Sequence, residues 1–372
     1  MLNPIAVAIP VFFLAILWEA WAAKRRRLRA YRFVDAITDL SCGIGSQVLG
    51  VVLKTAVLAG YAWLYAHHAL VHFSPGSPWP WLIGMLGFDF LYYWWHRASH
   101  EVNLLWAAHI VHHQSEDYNL AVALRQAWFT NLTAVPFYLP LALVGVDPVT
   151  FFVSGAVSLL YQFWIHTELI RRVDPVEWWL NTPAHHRVHH ATNPEYLDKN
   201  YGAILIVWDR LFGTFEPERA PCIYGLTKPF SSFNPVWANL HYFSEIGHLV
   251  RQSCGLADKL MAPFRSPGWN PRTRRVELPA HTRDGLQKFG SPPVTRALTA
   301  YVVFNFLLIA LGVVALLVWG ERMAAGPLTA LIAVIVLTTL AWGGLFERKR
   351  WAVPLEAIRV VGAVAAVAWA LA

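Results

Sequence analysis

Residues 297–319, ALTAYVVFNFLLIALGVVALLVW, run for 23 positions without a charge. At about 1.5 Å per residue such a run is long enough to cross the roughly 30 Å hydrocarbon core of a bilayer, and a helix satisfies its own backbone there. Comparable runs occupy 4–22, roughly 40–66, 79–95, 127–145, 149–166, 327–346 and 353–372. Together they predict about eight crossings and an all-α, polytopic membrane bundle. Glu19 in the first run, Lys54 in the second, and Glu356 and Arg359 in the last interrupt their runs. Composition agrees: 56% of residues are hydrophobic, 14% are charged and 19 are Trp, a balance outside that of soluble domains. The first run does not read as a cleaved signal, because its basic cluster, KRRRLR at 24–29, follows the apolar stretch.

Basic loops remain on the cytoplasmic side of a membrane. With the N-terminus outside, the segments 24–37, 95–126, 170–296 and 347–352 fall inside and carry 27 of the 30 Lys and Arg, whereas the outside loops carry Arg322 alone. Topology and anionic headgroups therefore account for the net charge of +7, and nucleic acid is not needed as a partner. Cys42, Cys222 and Cys254 form no CxxC pair and read as reduced bystanders. The organisation expected is N-terminal membrane helices over 1–78, a histidine-rich core over 79–216, a cytoplasmic and interfacial segment over 217–296, and C-terminal membrane helices over 297–372. The third of these is rich in Pro, Arg and Ser, with one or two short amphipathic helices, such as 235–252, lying along the membrane, and its 217–250 region is expected to cover the site as a lid.

Of 16 histidines, ten fall between positions 96 and 190. His96 and His100 stand four apart in HRASH, and His109, His112 and His113 form H-x2-HH. His166 closes an apolar run, and HHRVHH at 185–190 repeats the H-x2-HH spacing in His186, His189 and His190. Residues three or four apart share a helix face, so His96 and His100 can meet on one ion and His109, His112 and His113 project from one face, with His186 the expected ligand of the last set and His185 left beside it as a neighbour. His96 and His166 sit at the inner ends of their runs, so all the groups converge on one cytoplasmic site. The remaining histidines, His67, His68, His72, His241, His248 and His281, read as ordinary hydrogen-bonded interfacial residues.

Nine imidazoles exceed the ligands of one ion, so two are implied. Imidazole suits Fe, Zn, Cu and Ni alike. A structural zinc site would recruit cysteine, a two-zinc hydrolase would bring bridging carboxylates, and bis-His haem would place single histidines deep in the membrane. The reading that remains is an oxygen-activating di-iron centre, with a zinc-dependent membrane hydrolase as the competing enzyme and a metal-binding transport protein as the alternative outside enzymology.

The order H-x3-H, H-x2-HH, Q-x3-H, H-x2-HH resembles the fatty acid hydroxylase and sterol desaturase superfamily of membrane di-iron oxygenases. The likeness covers residues 80–216 and continues more weakly through 224–243; SEDYN, ALRQ and DKNYG beside the histidines resemble its ether-lipid-cleaving subgroup. The resemblance implies two Fe ions, O2, and tetrahydrobiopterin as reductant. It implies oxygen insertion at the carbon next to a glycerol ether oxygen, giving fatty aldehyde and glycerol, with sterol or fatty-acyl hydroxylation or desaturation as the alternative in the same superfamily. Carried over by position, the ligands are His96, His100, His109, His112, His113, His166, His186, His189 and His190, and Glu101 matches a family glutamate.

A carboxylate one residue past a ligand is placed to orient His100 or to take a proton, so Glu101 is the expected catalytic residue. Asp89, an acid within an apolar run, is expected to hydrogen-bond a ligand histidine, and Asp209 in WDRLFGTF to do the same. The aromatic residues Tyr92, Tyr93, Trp94, Trp95 and Trp106 suit both an interfacial belt and a dry path for a lipid substrate. No signature of a haem, a flavin or a pterin site is legible.

Overall fold

The computed structural model describes residues 4–277, 289–290 and 293–371, and among them it is almost entirely helical. The chain forms α1 (Pro4–Arg25), α2 (Phe33–His68), α3 (Trp79–Glu101), the short α4 (Asn103–Ala107) and α5 (Leu120–Ala123), α6 (Thr130–Leu143) and α7 (Pro148–Trp164). The polar half adds α8 (Pro183–His190), α9 (Val207–Phe212), α10 (Pro235–Gln252) and α11 (Leu256–Met261), and the chain closes with α12 (Arg296–Trp319), α13 (Ala325–Phe346) and α14 (Ala352–Leu371). A two-residue antiparallel ladder pairs Trp269 with Val276 and Asn270 with Arg275.

Local chemistry sets the helix starts. Asp147 caps α7 by accepting from Val149 N at 2.9 Å and Thr150 N at 3.1 Å, with Pro148 at the first helical position. Asn234 does the same for α10, followed by Pro235.

Every predicted apolar run is helical, but the run count and the count of membrane-length helices differ. Among the described residues four helical segments are long and apolar enough to cross a membrane: Val7–Arg25, Phe33–Leu53, Arg296–Arg322 and Ala325–Phe346. Helix α6 has 14 residues and two internal prolines, and α7 has 17. At about 1.5 Å per residue both fall short of a 30 Å core. Helix α3 is long enough but carries Asp89, His96, Arg97, His100 and Glu101 on its second half, which lowers its hydropathy. The second run, 40–66, lies wholly within α2, Phe33–His68.

The long helices alternate in direction between two ends. At one end the turns after α2 and α6 meet: Leu70 N donates to Leu143 O at 2.7 Å, and Gly145, at φ +93°, lies so close to Val71 O that a Cβ would stand 2.3 Å from it. At the other end Arg26 donates to Leu169 O, Arg32 pairs with Asp117 at 2.9 Å, and Phe233 N donates to Glu347 at 2.6 Å. All the histidine boxes lie at this second end. The expected amphipathic helix near 235–252 is α10, which packs on α2, α4 and α13 and touches the second box through Gln114 Nε2, 2.9 Å from Ala238 O. His281 lies outside the described residues.

Candidate metal centre

Nine histidines converge in two groups of buried ring nitrogens. His96, His100, His109, His113 and His189 form one, His112, His166, His186 and His190 the other, and within each group the ligand atoms all lie within 4.8 Å of one another. The groups adjoin: the ring centroids of His113 and His190 are 4.4 Å apart.

The partition divides both H-x2-HH boxes between the groups. His109 precedes a tight 3-10 turn, Ile110–His113, and in both H-x2-HH boxes the outer pair serves one group while the middle histidine crosses to the other. His109 and His113 join the first group and His112 the second; His186 and His190 join the second and His189 the first. An i, i+4 pair projects from one side of a helical turn, and the residue between is rotated away. His96 and His100, also four apart on α3, stay together as expected.

Second partners fix the tautomers. Nδ1 of His96 donates to Tyr201 O at 2.7 Å, that of His112 to Arg125 O at 3.0 Å, that of His166 to Gln162 O at 2.7 Å, and that of His189 to Lys199 O at 2.9 Å. A ring that donates through Nδ1 presents the lone pair of Nε2 to a cation. The Nε2 atoms then crowd: His96–His109 and His166–His186 at 3.0 Å, and His109–His113, His112–His166 and His186–His190 at 3.2 Å. Around an ion with bonds of about 2.1 Å, neighbouring nitrogens stand roughly 3.0 Å apart at right angles and roughly 3.4 Å apart in a tetrahedron. Nε2 of His100 and of His189 are buried with no hydrogen-bond partner among the described residues. The donor set therefore fits two metal ions. Burial, reinforced by neighbouring imidazoles, holds His109, His113, His186, His189 and His190 neutral far below the ordinary histidine range, and burial pushes His112 down to about 4.

The acids occupy other places. Asp89 accepts from Ile204 N at 2.8 Å, Leu205 N at 3.1 Å and Trp208 Nε1 at 2.8 Å, so its partners are the 204–208 turn instead of the expected histidine. Asp209 likewise meets no histidine: it takes Tyr201 N at 2.7 Å, Gly202 N at 2.8 Å and Thr214 Oγ1 at 2.7 Å. Both acids hold the strand of chain whose Tyr201 carbonyl orients His96, one bond further out than the sequence suggested. Gly202 is needed there, since a Cβ would come within 2.5 Å of Leu205 O. Glu101 is not drawn in with the histidines: its side chain is 51% exposed and pairs with Arg97 at 2.8 Å. His185 turns its ring to Phe215, and burial lowers it to about 4.

Arg125 escaped the sequence reading. Fully buried, it donates to Val111 O at 2.7 Å, Gln114 Oε1 at 2.6 Å and Asp39 Oδ1 at 2.9 Å, while its own carbonyl accepts a hydrogen bond from His112. The signal available was a lone arginine in the otherwise uncharged stretch AVALRQAW.

A largely apolar cavity of about 440 Å³ ends on His109, His112 and His166. It is walled by α1, α2, α3, α6, α7 and α12, through residues such as Phe12, Val57, Phe88, Phe151 and Leu317.

Membrane-length apolar helices and two buried imidazole groups at the end of an apolar cavity define a multi-pass membrane protein with a paired centre able to hold metal. Residues 81–214 match the family described as fatty acid hydroxylase. The chain is 39% identical over 355 residues to alkylglycerol monooxygenase of Xenopus tropicalis, covering 94% of this chain and 78% of that protein. It is 37% identical over 361 residues to the Homo sapiens alkylglycerol monooxygenase, covering 95% and 80%, and 39% identical over 334 residues to that of Danio rerio, covering 88% and 74%. No solved structure matches. The chain belongs to the fatty acid hydroxylase family of non-haem iron oxygenases, beside its alkylglycerol monooxygenases, and is an oxygen-dependent monooxygenase.

Proposed function

We propose that the protein cleaves the ether bond of O-alkylglycerols. Oxygen enters the carbon beside the ether oxygen, and the resulting hemiacetal collapses to fatty aldehyde and glycerol. The observation that carries this reading is the ending of an apolar cavity of about 440 Å³ on His109, His112 and His166, one from the first histidine group and two from the second. A long alkyl chain fits such walls, and a dry site protects reactive oxygen species from water.

Two iron ions are the proposed occupants, held by His96, His100, His109, His113 and His189 on one side and His112, His166, His186 and His190 on the other. Bound iron supplies the activation of O2. The chain supplies orientation: carbonyls of Tyr201, Arg125, Gln162 and Lys199 hold four imidazoles in the ligating tautomer. Asp89 and Asp209 brace the 201–208 segment as positioning residues, and His185 packs behind His186. Glu101, paired with Arg97, is assigned a surface role.

The proposed division of the chain is helices over 1–78 and 297–372 around a catalytic core over 79–216, with 217–296 as an interfacial cover whose α10 sits on the second box. The predominance of basic residues at the histidine end, KRRRLR at 24–29 and ERKR at 347–350 among them, supports a cytoplasmic site in a chain of eight alternating helices. Tetrahydrobiopterin is the proposed reductant. Purified protein incubated with alkylglycerol and O2 should yield fatty aldehyde, dependent on tetrahydrobiopterin. Hydrolysis without an oxygen requirement would defeat the reading in favour of a zinc enzyme.

A further inference from the structure

The cavity that ends on the histidines is walled mostly by carbon, and its polar side chains divide into two kinds. Several are already engaged. Gln162 accepts from Tyr92 OH at 2.6 Å and donates to Ser158, Thr130 Oγ1 donates to Ala108 O at 3.1 Å, and Gln126 Nε2 donates to Ala123 O at 2.9 Å. Gln47 on α2 and Asn131 on α6 line the same cavity and make no side-chain hydrogen bond among the described residues.

Their placement is informative. Gln47 lies inside the membrane-length segment Phe33–Leu53, where a primary amide facing hydrocarbon without a partner is costly. Asn131 faces α2 from the neighbouring helix: its Nδ2 would stand 4.0 Å from a Cβ on Gly50, one turn beyond Gln47. The pair therefore shares one stretch of wall. That stretch is near the reacting end, because Thr130, adjacent to Asn131, bonds the carbonyl of Ala108, the residue before His109. A primary amide both donates and accepts, which matches a hydroxyl. Glu321 is the one charged side chain among the described lining residues, and the polar groups on this stretch of wall, Gln47 and Asn131, are neutral amides.

We propose that Gln47 and Asn131 form a polar subsite that hydrogen-bonds hydroxyl groups of a lipid headgroup and thereby sets the carbon beside the ether oxygen at the histidine groups. The rest of the cavity takes the alkyl chain. This deepens the ether-cleavage reading and rests on it, yet its binding prediction can be tested apart from turnover.

The test compares two probes on full-length, metal-loaded protein without oxygen: 1-O-hexadecylglycerol, and hexadecyl methyl ether, which lacks the hydroxyls. The wild type should bind the glycerol ether about tenfold more tightly or better, the effect of one or two satisfied hydrogen bonds. Gln47→Leu and Asn131→Leu should each erode that preference, and the double variant should abolish it, while affinity for the methyl ether is kept. Retained methyl ether binding also reports that the variants are folded. With oxygen and reductant, the variants should raise KM for the glycerol ether with kcat largely preserved. An undiminished preference in the double variant, or no preference in the wild type, would overturn the subsite. A wild type that prefers the glycerol ether but releases no aldehyde would support the subsite and defeat the ether-cleavage reading.

Discussion

His112 donates a hydrogen bond from Nδ1 to the carbonyl oxygen of Arg125, 3.0 Å away, and the guanidinium of the same arginine grips the turn that carries His112 through Val111 O at 2.7 Å and Gln114 at 2.6 Å. One residue thus aims a ligand and holds the ligand's own backbone. Asp39, buried at 2.9 Å, balances the arginine's charge.

Replacing Arg125 with Met should cost about 3–5 kcal/mol, because Asp39 is left as an uncompensated buried charge, and should loosen His112 in particular. The measurement is thermal unfolding combined with metal analysis. A stable variant with full metal content would show that the contact is incidental.

The crossing of histidines between groups makes a selective prediction. His112→Ala should deplete the ion held with His166, His186 and His190, and His189→Ala the ion held with His96, His100, His109 and His113, each leaving membrane insertion intact. Iron per chain and its spectroscopic signature report this. Activity should vanish in both variants; unchanged turnover would remove those residues from the site.

Asp209→Ala removes the acceptor of Tyr201 N, Gly202 N and Thr214 Oγ1, freeing the segment that orients His96. Supporting contacts of this kind typically carry about 10–100-fold in metal affinity or activity. Competition with a chelator measures the loss. Glu101→Gln, by contrast, alters a half-exposed pair with Arg97 and should change kcat less than about twofold, in line with the small worth of exposed ion pairs; a loss of a hundredfold or more would restore Glu101 to the chemistry.

Acid should strip the metal and destabilise the metal-free fold together. Buried histidines with depressed pKa values resist protonation, whereas the unfolded chain takes up protons near pH 6.5. Their contribution to folding is thus complete above that value and falls away as pH drops from there toward about 4, the value for His112. Urea titrations of metal-free protein between pH 7 and pH 4.5 should show stability declining with pH. A flat profile would contradict the burial of neutral imidazoles.

Much of this was legible in the chain because its strongest signals are local. The apolar runs gave the helices, and the histidine spacing gave nine rings that the structure brings together in two groups. Three features were hidden because they depend on distant contacts or on turn geometry. The sharing of boxes depends on how the separate elements carrying them are brought together, since the outer pair and the middle histidine part company both at the 3-10 turn Ile110–His113 and on the α-helix Pro183–His190. Asp89 finds its donors 115 to 119 positions away, in the 204–208 segment, where backbone amides compete successfully with any histidine. The number of membrane-length helices depended on the lengths of α6 and α7, 14 and 17 residues, with the Asp147 cap fixing where α7 starts, and on the charged second half of α3.

The most direct measurement of the central claim is the metal content of purified protein alongside its oxygen consumption. The account predicts two irons per chain and O2 uptake coupled to aldehyde release from alkylglycerol. Two zincs, or a single ion shared by all nine imidazoles, would contradict it.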